Sequence, residues 1–115
     1  MKTDKLAQTH TYMFRHVYKA IERLVVMPGD IRERLRYAGE EFIKAPVEGI
    51  PESLQEEYTE IYNYLTEYKG NKSDEYPFCS DIFITMKKRR RSTSCKTAEK
   101  MWSFYHQYQT IIDNA

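Results

Sequence analysis

The sequence predicts an all-α protein, an antiparallel bundle of four to five helices. Three observations predict it. Apolar residues recur every three or four positions in several separate segments. Proline, glycine and aspartate fall between those segments, where helices stop and start. Only one short stretch, Ile82-Phe83-Ile84-Thr85, would suit a strand, and it has no partner elsewhere in the chain. A length of 115 residues predicts one domain over 1–115. That size can bury a core without metals or disulfides.

The first helix is predicted over about 4–26. Leu6, His10, Met13, Val17, Ala20 and Leu24 follow the spacing of a bundle seam. Phe14, Tyr18, Ile21 and Val25 make a second stripe beside it, so the helix should meet two neighbours. Pro28 ends it, because proline lacks an amide and disfavours helix at the preceding residue.

Asp30 is a good N-cap for a second helix over about 31–45, with Glu33 placed to complete a capping box. Its stripe is Ile31, Leu35, Ala38, Phe42 and Ala45. Gly39 inside it costs about 1 kcal/mol against alanine, which a close approach by another helix would explain.

Pro46 to Pro51 form a turn, and Pro51 suits the first position of a third helix over about 51–69. Leu54, Tyr58, Ile61, Leu65 and Tyr68 line one face, with Tyr62 alongside. Gly70 and Asn71 stop it. Residues 70–77 read as a polar loop. A short fourth helix follows over about 78–86, and Ser94 or Thr93 caps a last helix over about 95–113. The last stripe is Ala98, Met101, Tyr105, Tyr108 and Ile112, flanked by Trp102 and Ile111.

Several of these stretches resemble a small family of short, uncharacterised, all-helical bacterial proteins. The matching residues are Met27-Pro28-Gly29-Asp30-Ile31-Arg32-Glu33-Arg34-Leu35, Phe42, Ile50-Pro51-Glu52-Ser53-Leu54, Leu65-Thr66 and the end from Ser94 to about Ile112. The resemblance covers most of the chain from about residue 20. It rests on helix starts, a PGDIRERL and a later PExL, so it implies a fold and a bacterial or phage-like setting, with no catalytic residues. Two departures from that family are the Ser-Cys-Lys-Thr opening of the last helix and the basic run before it.

No enzyme is predicted, and no catalytic residue, metal ligand or cofactor site is named. His10, His16 and His106 show no metal-ligand spacing. Cys79 and Cys95 form no paired motif and read as reduced thiols in a cytoplasmic protein. The glycines form no phosphate loop. Glu40-Glu41, Glu56-Glu57 and Glu60 read as solvated helix faces. No apolar run is long enough for a membrane partner.

Function classes narrow to binding. A net charge of +1 creates no global field, but charge is segregated. Residues 40–60 hold seven acids and one lysine, a balance of −6. Residues 87–100 hold seven bases and one acid, a balance of +6. Lys87, Lys88, Arg89, Arg90 and Arg91 cannot all lie within a packed helix, since consecutive residues point all round the axis. The fourth helix should therefore end near Met86 to Lys88, or its end should project beyond the bundle, because burying an unpaired cation is prohibitive. With ten tyrosines and a wide first helix, the expected role is a non-enzymatic accessory or regulatory protein binding another protein or forming a homodimer. The alternative is nucleic-acid binding by Lys87 to Arg91, with Lys96 and Lys100 helping and Tyr76, Trp102 or Tyr105 nearby.

Overall fold

The computed structural model describes residues 2–68 and 81–114, with side chains from residue 8 onward. Among the described residues there are five α-helices and no strand: α1 (Lys2–Val26), α2 (Ile31–Phe42), α3 (Gln55–Leu65), α4 (Asp81–Lys88) and α5 (Arg91–Asp113). Helix α2 is short and central. It touches α1, α3, α4 and α5, while α5 also runs along α1 and α3. Buried apolar residues of all five helices join in one core.

The first corner forms as its residues require. Gly29 has φ +102, a conformation open to glycine and closed to residues with a β-carbon. Asp30 Oδ1 then accepts the amides of Arg32 at 2.9 Å and Glu33 at 3.4 Å. The other half of the expected capping box is different. The Glu33 carboxylate does not accept the Asp30 amide; Arg32 closes on the Asp30 side chain, its Nη2 donating to Oδ2 at 3.0 Å. Glu33 instead folds back over Gly29, where any β-carbon would strike it.

Helix α1 does meet two neighbours. Val17, Ala20, Ile21 and Leu24 are buried. Phe14 packs on Tyr105 and Tyr108 of α5, and the Tyr108 hydroxyl donates to the His10 carbonyl. Higher α1 numbers meet lower α5 numbers, as antiparallel packing demands. Gly39 earns its place through close approach. A β-carbon there would stand 3.3 Å from both Leu65 methyls and 3.5 Å from Ile82 Cδ1.

Several boundaries differ from the sequence expectation. Helix α2 stops at Phe42 rather than 45, because Ala45 precedes Pro46 and proline bars helix there. Ala45 is still buried, held in the turn. The segment after Pro51 winds first as a 3₁₀ turn, Glu52–Leu54, and becomes α-helical only at Gln55. Helix α3 ends at Leu65, not 69. Thr66 Oγ1 turns back to the Tyr62 carbonyl at 2.9 Å, and buried Thr85 of α4 clasps the Tyr68 backbone from both sides. The expected stop at Gly70–Asn71, the 70–77 loop and the start of the fourth helix at Phe78 lie outside the described residues.

Helix α4 ends at Lys88, where the charge argument placed it. Helix α5 begins four residues earlier than expected. Its N-cap is Arg90, which makes no side-chain cap, and Ser94 is buried in the helix rather than capping it. The linker between α4 and α5 is thus only Arg89 and Arg90. Phe104, absent from the expected stripe, is fully buried. It faces Phe42, Tyr58 and Tyr108, because α5 packs on several helices and needs a wide apolar face.

Candidate interaction surfaces

The seven cations singled out in the sequence divide by what holds them. Arg89 is structural. Its guanidinium lies 4.2 Å from the Tyr64 ring centre, donates to the Tyr64 carbonyl at 3.3 Å and pairs with Glu67. It therefore satisfies an orphan carbonyl at the end of α3. Lys87 lies over Phe83 and Lys88 over Tyr68, with nitrogens 5.2 and 5.4 Å from the ring centres. These are ordinary cation–π distances. Arg91 Nε is 3.5 Å from Asp30, and Lys100 Nζ is 3.4 Å from Glu60. Arg90 and Lys96 are exposed and make no ion pair among the described residues.

The acidic and basic blocks neutralise each other only at one edge. Lys100 meets Glu60, and Gln107 of the same helix bonds Glu57 at 3.1 Å. Arg89 and Arg91 find their acids outside the acidic block, at Glu67 and Asp30.

The fold also brings a second set of cations to the basic run. Arg32 and Arg36 of α2 line a cleft of about 250 Å³ with Phe83, Met86 and Lys87, together with Asp30 and Glu33. The Arg36 guanidinium lies over two rings, 4.6 Å from the centre of Tyr37 and 4.9 Å from that of Phe83. Asp30 is shared: Oδ2 is 3.0 Å from Arg32 and 3.5 Å from Arg91. The Arg32 hydrogen bond is the main reason its carboxyl titrates at about 2, well below the usual carboxylate range. Nothing in the linear sequence joins residues 32–36 to residues 87–91.

A second surface follows the α1–α5 seam. Tyr18, Val25 and Trp102 are 52, 67 and 48% exposed. Tyr105 bridges the two rings, 6.4 Å from Tyr18 and 5.9 Å from Trp102 between ring centres. His106 meets Trp102 edge-on at 4.4 Å. The second stripe of α1 thus splits. Phe14 and Ile21 turn inward, while Tyr18 and Val25 stay at the surface. Tyr76 lies outside the described residues.

One expected surface carboxylate is in the interior. Glu41 is only 3% exposed. Its Oε1 is 2.9 Å from His16 Nδ1, and Oε2 is 3.0 Å from Lys44 Nζ and 3.5 Å from Arg23. An ionised carboxylate only accepts, so His16 carries its proton on Nδ1. Burial by itself would raise the Glu41 pKa, but His16, Lys44 and Arg23 together bring it below the usual value. Helical spacing had placed Glu41 off the apolar stripe, and it is. It lies on the flank that α1 covers, which only the packing of α1 decides. The cluster ties helices together; none of its members lines the 250 Å³ cleft, and only Lys44 reaches the rim of a depression of about 510 Å³ that runs to Asn63.

The other histidines stand apart from it. His10 is half-buried, and burial lowers its pKa. Among the described residues no three His, Cys, Asp or Glu side chains converge as a metal set, and no helix is long and apolar enough to cross a membrane. Cys95 is an exposed free thiol, and Cys79 lies outside the described residues. No protein-family model, no curated protein and no solved structure matches this chain.

Proposed function

We propose that this protein is a non-enzymatic interaction module, an accessory or regulatory subunit whose contact face is the α1–α5 seam. The observation that carries this reading is the run of half-exposed rings from Tyr18 through Tyr105 to Trp102, continued by Val25. Tyrosine and tryptophan give large contact area at low entropic cost and are enriched at protein interfaces. The rings are already ordered against one another, so docking loses little side-chain freedom. The partner is another protein or a second copy of the chain, in the cytoplasm of a bacterial cell, in keeping with the family resemblance of residues 27–35 and 50–54.

Two measurements test this reading. Light scattering over a concentration series should show mass above the monomer if the partner is a second copy. Affinity capture with the folded chain, against a Tyr18→Ser/Trp102→Ser control, should recover a protein that the control does not. A constant monomer mass together with identical captures overturns the proposal.

The second reading is nucleic-acid binding by the basic segment. It is favoured by Arg90 and Lys96, which are exposed with no acidic partner among the described residues. Phosphates would supply that partner.

A further inference from the structure

We infer that the corner where α2 meets the α4–α5 junction binds the phosphate backbone of nucleic acid, with Arg32 and Arg36 as working parts and Asp30 as a built-in competitor for the same cations. This rests on the nucleic-acid reading of the basic segment and extends it to residues that are distant in sequence. Four cations, Arg32, Arg36, Lys87 and Arg91, gather there around Asp30, Glu33 and Glu40, with Arg90 next to Arg91 in the chain. Two features mark the corner as built for an anion. The Arg36 guanidinium lines the cleft and lies over the Tyr37 and Phe83 rings, while Glu40 is no closer than 3.8 Å, so its charge is only loosely matched. Second, one carboxylate, Asp30, serves both Arg32 and Arg91.

The kind of anion follows from what the corner lacks. A protein interface needs an apolar centre. Among the described residues, none of the large exposed apolar side chains lines this cleft, and its apolar floor is already covered, with Met86 buried and Phe83 under Arg36 and Lys87. Phosphate backbone asks only for cations at suitable spacing.

The test uses the full chain and a fluorescent oligonucleotide of about 20 nucleotides, single- and double-stranded, from about 50 to 200 mM salt. Polyglutamate serves as the acidic-protein probe. Asp30→Asn is the informative variant, because asparagine caps a helix as well as aspartate and removes only the charge. Binding by the native chain should fall steeply with salt. Asp30→Asn should tighten it by roughly three- to tenfold and steepen the salt slope by about one, since a cation is released. Arg32→Gln/Arg36→Gln should weaken it and flatten the slope by about one to two. Circular dichroism melts verify that each variant is folded, and Arg32→Gln alone replaces the double variant if Arg36 proves necessary for folding. If Arg90→Gln/Arg91→Gln weakens binding while the Asp30 and Arg32 variants behave as native, the inference falls and the simple basic-run reading survives. If the native chain binds neither oligonucleotide at low salt, both fall. Equal binding of polyglutamate overturns the inference in favour of an acidic protein.

Discussion

Glu41 and His16 meet at 2.9 Å across the α1–α2 interface, twenty-five residues apart in the chain. Lys44 and Arg23 complete the ring of donors around a carboxylate that is almost fully enclosed. A buried carboxylate without partners would be expelled or neutralised. Here the partners make it a clamp between the first two helices.

The clamp makes stability fall in acid. Its folded-state pKa lies below the ordinary 4.5, so the unfolded chain takes up the proton first. The stabilisation is fully present above about pH 4.5 and disappears as pH falls through the lowered folded value. Glu41→Gln should cost about 2 kcal/mol at neutral pH, in the range of charged hydrogen bonds. It should also flatten the acid limb of stability against pH. Urea midpoints from pH 3 to 7 (roughly the carboxylate range) check both. An unchanged acid limb removes Glu41 as its cause.

Two buried tyrosines act as fasteners. The single Tyr58 hydroxyl proton is shared between the carbonyls of Ala45, the nearer, and Phe42, where α2 gives way to the turn. Tyr108 donates to the His10 carbonyl, and burial raises the pKa of both tyrosines. Tyr58→Phe removes the one donor those buried carbonyls share and should cost about 1–2 kcal/mol, with Tyr108→Phe close behind. Thermal melts of the two variants and the pair should show nearly additive losses, because they fasten different helix pairs.

Arg89 and Arg90 are neighbours with opposite roles. Arg89→Ala should lower stability by about 1–2 kcal/mol, since it frees the Tyr64 carbonyl and Glu67 at once. Arg90→Ala should change stability by less than about 0.5 kcal/mol, as exposed substitutions do. A substitution that removes both would confuse folding with binding. Chemical denaturation separates them, and equal effects would contradict the structure.

Trp102 is the chain's only tryptophan and lies on the proposed contact seam. Its fluorescence should be accessible to acrylamide in the free protein, given 48% exposure. It should become shielded and blue-shifted when a partner or second copy covers the seam. Quenching that is independent of concentration and of captured partner would place the contact elsewhere. Trp102→Ala should leave the melting temperature within a few degrees (roughly what 0.5–1 kcal/mol shifts in a domain of this size).

What the sequence determined by itself was local and periodic. The helical fold, the Pro28–Asp30 corner, the need for Gly39 and the end of α4 at Lys88 follow from spacing, backbone restriction and the cost of burying charge. These act over a few residues or through one rule about exposure. The C-terminal end of α3 did not follow, because Thr85 from α4 and Arg89 from the linker after it arrive to hold the backbone there, and the start of α5 at Arg91 carries no capping signal that could be read in the sequence. The same holds for Glu41, which reads as a surface residue until α1 covers its flank. It holds most for the corner around Asp30. Arg32 and Arg91 become neighbours only through the packing of α5 beside α2. Charge interacts through space over several ångströms, and distance in space is what only the tertiary structure supplies.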